Sequence, residues 1–435
     1  MLNYVSIKFP LAQKAPERIV SFILKQNRYA HEIATASFRD WDVQYSNIKP
    51  GDPVECLVRG QGTSRKFVGY IHDIKPDIKP GSRFVTVTII GASYKLKQAH
   101  QRVWENTTAP DVVRQIAREN NFNVDIEDHP RIYTQIVQPG ISDFQLIARL
   151  AQQCGYLFRV DNTTIKFKKI TTEYNAHRAN AKTFEMREAN DPKGSTLYSF
   201  NLILGESIRY SDGYKSAVQI GGVDPVSNVA SIITNPNRLQ TIREISNTEF
   251  FDSYGTDTVA PDAVTAYYES VSADERNRFP YRASLQVIGA PSLAPGFPVY
   301  LDGIDRVYNG YWIILSVEHH IIETSPNVLK YTSFVQVGAD SLGAANQLNS
   351  TKVLKPDTIK KRALIPGTKN YPPSNKSALS KGTNKSGNNF SQITRRTKGS
   401  AYVNSTPHIW VFDGTTTKAF VAPSVTSAVS RKRKH

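Results

Sequence analysis

The sequence predicts a mainly β fold with an α+β insertion and an extended basic C-terminal tail, and three observations carry that reading. First, a pattern near residue 50 returns in order near residue 295. Pro50-Gly51-Asp52-Pro53-Val54 reappears as Pro295-Gly296-Phe297-Pro298-Val299, Gly69-Tyr70-Ile71 as Gly310-Tyr311-Trp312-Ile313, and Val87-Thr88-Ile89-Ile90-Gly91-Ala92 as Phe334-Val335-Gln336-Val337-Gly338-Ala339. Three pieces in one order, about 245 residues apart, mark one β unit present twice. Second, helix-start signals punctuate residues 101–190 between the two copies. Third, positive charge is segregated. Residues 346–435 hold 17 Lys and Arg against Asp357 and Asp413, leaving 37 basic and 36 acidic side chains for the rest of a chain whose net charge is +16.

Residues 1–100 form the first β domain. Expected strands are 3–9, 19–24, 33–38, 53–58, 66–74 and 83–91, separated at Pro50-Gly51 and Pro80-Gly81. Val85, Val87 and Ile89 alternate with Phe84, Thr86 and Thr88, the period of a strand with one core face. Short strands between turn signals imply a barrel or sandwich.

Residues 101–190 form the inserted α+β domain. Thr108 caps a helix with Pro110 and Asp111 in its first turn, and Val112, Val113, Ile116 and Ala117 make its apolar stripe. A second helix starts at Ser142-Asp143, runs through Phe144, Ile147, Ala148 and Ala151, and stops at Gly155. Tyr156–Val160 and Thr163–Lys168 follow as a hairpin turning at Asp161-Asn162.

Residues 191–345 form the second β domain, with strands at 196–204, 206–210, 215–221, 281–290, 297–301, 311–322 and 329–338. One helix spans about 261–278, started by Pro261-Asp262 and closed by Arg276 and Arg278. The polar stretch 223–260 is a long loop or an extra strand pair. Residues 346–435, rich in Ser, Thr, Asn, Lys, Pro and Gly, cannot bury a core of their own. Ala401-Tyr402-Val403 and His408-Ile409-Trp410-Val411-Phe412 interrupt that composition. They are either anchors for another surface or a final strand of this chain.

Catalytic chemistry is not visible. His319 and His320 are adjacent in an alternating strand, so they face opposite ways and cannot share a metal. Asp125, Glu127 and Asp128 read as a solvated loop beside Pro130, and Asp302 and Asp305 as turn residues flanking Gly303. Cys56 and Cys154 lie in apolar stretches and read as buried free thiols. No nucleotide-binding or hydrolase motif is present, and no run of 18 apolar residues spans a membrane. No catalytic, cofactor-binding or metal-binding residue is predicted, and no cofactor. The basic clusters Arg395-Arg396 and Arg431-Lys432-Arg433-Lys434 fit an acidic protein neighbour, nucleic acid or simple solubility.

Several stretches now converge on one family. His100-Gln101-Arg102-Val103-Trp104 followed by Thr107–Ala117, Ser142–Ala151 ending in Gly155-Tyr156-Leu157-Phe158, and Arg282-Ala283-Ser284-Leu285 with Leu293-Ala294-Pro295-Gly296, Tyr308-Asn309-Gly310-Tyr311-Trp312 and Val317-Glu318-His319 resemble the baseplate or tail hub proteins of contractile phage tails. That group includes the late control D proteins and the hub part of type VI secretion VgrG. The resemblance covers roughly residues 1–345. It implies two tube-like β-barrel domains per chain and a homotrimer whose six barrels form a ring. Such a ring matches a hexameric tail tube protein above and a trimeric central spike protein below, here a separate chain, and forms part of a channel for DNA. It further implies a non-enzymatic virion component of the tail baseplate, assembled in the host cytoplasm. The tail then straps the hub to other baseplate proteins, with Trp410 and Phe412 as anchors and Arg431, Lys432, Arg433 and Lys434 as the basic contact. The competing readings are a tail-associated cell-wall hydrolase and a nucleic-acid-binding protein acting through its basic tail.

Overall fold

A computed structural model describes residues 4–204 except 14, 15, 17, 40, 42–46 and 81, residues 263–340 except 277, 280 and 327, and the stretches 217–223, 230–234, 253–255, 353–358, 408–412 and 417–421. The chain divides into two units, residues 1–211 with 276–350, and residues 212–275 with 351–435.

The first unit opens with six strands close to the expected ones: β1 (Val5–Lys8), β2 (Arg18–Asn27), β3 (Ile33–Arg39), β4 (Pro53–Gly60), β5 (Thr63–Lys79) and β6 (Ser82–Gly91). They pair antiparallel in the order β1-β4-β5-β6-β3-β2. Alternate side chains from each strand fill one core: Val54, Cys56 and Val58 from β4, Val85, Val87 and Ile89 from β6, and Phe22 and Leu24 from β2. That is the period-two rule acting on β-branched and aromatic residues. Cys56 and Cys154 are buried free thiols, as expected.

The insertion comprises β7 (Ala99–Thr108), α1 (Ala109–Glu119), β8 (Asn123–Ile126), β9 (Ile132–Ser142), α2 (Asp143–Cys154), β10 (Leu157–Asp161), β11 (Thr164–Lys168) and α3 (Ile170–His177). Both predicted helices form with the predicted caps. The Thr108 hydroxyl accepts from the Asp111 amide at 3.3 Å. Ser142 and Gln145 make a reciprocal capping box, and Gly155 closes α2 at φ 68°. The helices and β10–β11 share one core with Phe144, Ile147, Phe158 and Phe167. Three features depart from expectation. The hairpin turns at Asn162-Thr163, because Asp161 stays in the ladder opposite Thr164 and Asn162 takes the left-handed conformation at φ 51°. The ribbon of β7 and β9 and the helix α3 were not foreseen. The expected solvated loop holds for Asp128, whose exposed side chain pairs with Arg114, but not for Asp125 and Glu127: Asp125 lies in β8, parallel to β11, and Glu127 accepts from the Lys169 amide and the Thr172 hydroxyl.

After the insertion come β12 (Lys182–Glu185) and β13 (Leu197–Leu204). The second unit contributes β14 (Ala217–Val223), β15 (Ala230–Thr234), β16 (Ser253–Gly255) and most of α4 (Ala263–Arg276). The first unit then resumes with β17 (Tyr281–Ile288), β18 (Pro298–Asp302), β19 (Gly310–Ser325) and β20 (Val328–Ala339). Its second set of strands pairs in the order β12-β18-β19-β20-β17-β13, strand for strand the order of the first set. The one departure is that β12 runs parallel to β18, whereas β1 runs antiparallel to β4.

The likeness extends to irregularities. Gly51 at φ 96° donates to the Ile71 carbonyl at 2.7 Å, and the Ile71 amide returns to the Asp52 carbonyl at 2.9 Å. Gly296 at φ 91° donates to the Ile314 carbonyl at 2.8 Å, and the Ile314 amide returns to the Phe297 carbonyl at 2.9 Å. A residue with a Cβ is strained at such φ, which is why Gly recurs there. β5 carries a bulge between Ile71 and Asp73 against β6, and β19 one between Ile314 and Ser316 against β20. The β2–β3 pair is irregular between Ile19 and Ser21, and β13–β17 between Leu197 and Ser199. Because a bulge re-aims everything beyond it, two coincident bulges establish one unit repeated.

They also correct the repeat's alignment. Ile71 corresponds to Ile314, Val87 to Val335 and Ile89 to Val337, so the third sequence piece shifts by one residue and the second by two. The one-residue shift restores the buried face, since Ile89 and Val337 are both buried whereas Gln336 is exposed. The repeats join where β19 continues past its bulge and pairs antiparallel with β2, placing Ile321 opposite Phe22 and His319 opposite Leu24. The strands of the two repeats make one open antiparallel ladder with a parallel flap at β12.

The second unit holds a separate five-stranded sheet, ordered β16-β14-β15-β21-β22, with β21 (His408–Phe412) and β22 (Thr417–Val421). The stretch 223–260 therefore contains extra strands, and the island at 408–412 runs parallel to β15 in this chain's own sheet, Trp410 beside Ile233. Tyr267 and Tyr268 of α4 bond to the Leu354 amide and carbonyl. The predicted strand 206–210, the segment Ala401–Val403 and both basic clusters lie outside the described residues.

Candidate assembly site

A buried ionic network ties the insertion to the first repeat. The Glu173 carboxylate on α3 is fully buried. It sits 2.7 Å from Lys166 Nζ, 2.6 Å from Lys168 Nζ and 3.1 Å from an Arg159 guanidinium nitrogen. Burial opposes its charge, but close contacts with Lys166 and Lys168 and the Arg159 charge prevail and hold it at about 2. Arg159 reaches on to Asp161 at 3.3 Å, and Asp161 receives Arg65 of β5 at 3.2 Å. Arg65 also lies 3.5 Å from Glu32. Burial pushes the Glu32 carboxyl up against the pull of Arg65, and Gln26 donates to it at 2.6 Å. The hairpin turn adds a bond from the Val68 amide to the Asn162 side chain at 3.1 Å. A turn residue of the insertion thus caps the edge of β5.

The second repeat meets the same module through a small core of Leu157, Ile170 and Tyr174 with Ile313 and Leu315, and through one aromatic residue of its turn. Phe297 occupies the turn position that Asp52 holds in the first repeat. The His177 ring stacks on it at 3.8 Å between centroids, and the Arg159 and Lys166 cations lie 5.2 and 5.7 Å from its ring. Asp52 instead accepts from its own turn, the Lys49 amide at 2.9 Å. The sequence signal was available, since an aromatic stands where the first copy has an acid, but its partners lie more than a hundred residues upstream.

At the joint between repeats, His319 is buried and His320 half-exposed, the opposite faces that alternation required. His319 Nδ1 meets the Ser333 hydroxyl at 3.1 Å and the Tyr331 hydroxyl at 2.9 Å. Burial, then the Arg65 charge, hold it at about 3. It is a core residue. Among the described residues, no group of three or more His, Cys, Asp or Glu is placed to hold a metal ion. No helix there is long and apolar enough to cross a membrane. Asp302 and Asp305 cap their own turn, accepting from the Gly303 and Val307 amides.

Besides β1 and β12, two strands of the described sheet have an edge without a neighbour. β13 pairs only with β17, and past its bulge β5 pairs only with β6. Ile78 on β5 and Ile203 and Tyr198 on β13 are exposed there. Of the residues expected to bind partners, Trp410 and Phe412 lie in β21 of the second unit, and Arg431, Lys432, Arg433 and Lys434 lie outside the described residues.

A family model described as phage tail baseplate hub (GPD) matches residues 29–325. No curated protein matches the chain. Among solved structures, the fold is similar to a tail protein from Neisseria meningitidis MC58, with TM-score 0.54 and 12% identity over 78% of this chain and 96% of that one. It is also similar to a 43 kDa tail protein of prophage MuSo2 from Shewanella oneidensis, with TM-score 0.52 and 13% identity over 77% and 97%. A third is an Escherichia coli component of the type VI secretion system, itself described as similar to T4 bacteriophage tail proteins, with TM-score 0.50 and 14% identity over 81% and 80%.

Proposed function

The chain belongs to the phage tail baseplate hub (GPD) family, and from that premise we propose that three copies form a pseudo-sixfold ring joining a hexameric tail tube to a trimeric central spike. The observation that carries this reading is the repeat with its paired bulges and paired Pro-Gly clamps. Three chains bearing two equivalent units each present six similar faces to one partner and three to the other, and closed rings leave no unsatisfied end.

In this reading residues 1–100 and 191–345 supply the two tube-like barrel domains. The 101–190 insertion stands outside the ring, and residues 346–435 strap the hub to neighbouring baseplate proteins. Trp410 and Phe412 act as anchors, and Arg431, Lys432, Arg433 and Lys434 meet acidic surfaces. The ring encloses part of the DNA channel, for which a nearly neutral body is suited because it does not hold a polyanion. The mass of the purified chain in solution tests the reading: a trimer is expected, and a monomer across the accessible concentration range refutes it.

A further inference from the structure

Arg18, Arg65 and Arg159 of the first unit each face a carboxylate, on Glu323, Asp161 and Glu173. Arg28, half-buried past the end of β2, does not. Among the described residues it makes no hydrogen bond and no ion pair, and its guanidinium lies 5.9 Å from the ring of its own neighbour Tyr29. Burial pushes it down from the ordinary arginine value, and the charge of Arg282 adds to that push. A cation so placed calls for an anion that this chain does not supply.

The sheet brings the two arginines together. The row Asn27-Ser316-Gln336-Ser284 crosses β2, β19, β20 and β17. Arg28 follows Asn27, and Arg282 stands two residues from Ser284 on the same side of β17. Three strand spacings, about 14 Å, separate the two backbones, a gap that two long side chains close from either end. The floor between them is apolar. Phe279 covers Gly338, where a Cβ would meet it at 2.8 Å, and packs with Leu315 and with Leu157 of the insertion. The insertion stands beside Arg28, since the Tyr29 hydroxyl donates to the Tyr156 carbonyl at 2.7 Å and the Tyr29 amide to the Phe158 carbonyl at 3.1 Å. Arg282 is exposed and makes one long bond, to the Phe279 carbonyl at 3.4 Å.

We propose that Arg28 and Arg282 bind a carboxylate, carried by an acidic side chain of a neighbouring baseplate protein. Each guanidinium presents a planar fork that matches the two oxygens of a carboxylate. Over the floor of Leu157, Phe279 and Leu315 such charge-assisted bonds are stronger than on an open surface. That floor suits an acidic residue flanked by aliphatic ones. A nucleic-acid backbone is gripped instead by a broad basic surface, and the 1–345 body, with 37 basic and 36 acidic side chains, has no such excess. All residues of the site belong to the first unit of one chain, so it stands whatever the number of copies. Only its occupant's place in the baseplate rests on the proposed function.

The test follows the urea midpoint of the full-length chain as four probes are titrated at one ionic strength: the peptide N-acetyl-Leu-Glu-Leu-amide, its glutamine analogue, inorganic phosphate and a short duplex DNA. The glutamate peptide is expected to raise the midpoint, and the glutamine peptide to leave it unchanged. Arg28→Met, which keeps most of the aliphatic stem, and Arg282→Gln should each raise the peptide concentration for a half-maximal shift at least tenfold. Arg306→Gln, at an exposed arginine of the β18–β19 turn, should not change it. A rise with phosphate and none with the glutamate peptide assigns the site to a free ion and overturns the partner. A rise with DNA that the Arg28 and Arg282 variants lose assigns it to nucleic acid and overturns it equally. No rise with any probe, or one that both variants keep, overturns the site. Without ligand, Arg28→Met should be no less stable than the parent, because it removes a cation that has no partner. A lowered midpoint makes Arg28 a structural residue and overturns the proposal.

Discussion

Replacing Glu173 with Gln tests the idea that a charged network fixes the insertion. The parent carboxylate is fully buried, with two lysines within 2.7 Å and an arginine at 3.1 Å. Its pull from the ordinary 4.5 down to about 2 corresponds to about 3 kcal/mol of folded-state preference for the charged form. The neutral amide leaves Lys166, Lys168 and Arg159 buried with only Asp125 and Asp161 as anionic partners, so the expected loss at pH 7 is about 3–5 kcal/mol. The sign with pH is fixed. A carboxylate depressed in the folded state contributes fully above pH 4.5 and loses that contribution as the pH falls through about 2. The stability gap between parent and variant should therefore shrink by about 2 kcal/mol between pH 7 and pH 3. Urea unfolding at both pH values, with Lys166→Met as a partner in a double-mutant cycle, measures it. A gap below about 1 kcal/mol at pH 7, or a gap that does not narrow in acid, refutes the network as the fastening.

Three further outcomes are expected. Burial, aided by the nearby cations Lys97, Arg131 and Arg65, holds His31 at about 4 and His129 and His319 at about 3. The unfolded chain takes up protons first, so stability should fall as the pH drops from 6.5 towards 4, by up to about 1.4 kcal/mol per pH unit for each histidine. His319→Gln should flatten that slope by about one third, as read from denaturant midpoints across the range. A Cβ on Gly289 would sit 2.1 Å from the buried Tyr331 ring, so Gly289→Ala should cost about 3 kcal/mol in equilibrium unfolding. An unchanged midpoint would show that Tyr331 moves freely. Deleting residues 346–435, which takes β21 and β22 out of the second unit's sheet, should leave the first unit folded but impair incorporation into baseplates, scored by electron microscopy of assembled particles. Normal incorporation rules out the strap.

The legible part of this fold was local. Caps at Thr108 and Ser142, the stop at Gly155 and the alternation along β6 each concern residues within a few positions of one another, where propensity and hydrogen bonding act directly. The Pro-Gly clamps were legible because positive φ demands a particular residue. The repeat was found but misaligned by one residue at its third piece, because identity alone ignored the inward-outward parity that Val87 and Val335 share. The ribbon of β7 and β9 escaped because its core-facing residues, Trp104, Tyr133, Ile136 and Ile141, are spaced among Gln, Thr and Arg too irregularly to show a hydrophobic period. Asp125 and Glu127 were read as solvated because their lysine partners lie some forty positions downstream, brought close by parallel pairing of β8 with β11. The site was legible least of all. That β5 past its bulge and β13 each have a single neighbour among the described strands is a property of the sheet order, and no window of sequence contains it.

One substitution separates the two repeats in kind. Asp52 serves its own turn, while Phe297 at the matching place receives His177, Arg159 and Lys166. The descendants of one ancestral segment thus wear different coats over the same skeleton. Counted by backbone the two are alike, whereas at these turns one carries a stacked aromatic and the other a self-satisfied acid. In the proposed ring the six backbones would alternate between these two surfaces, so the skeleton would repeat six times and its outer chemistry three.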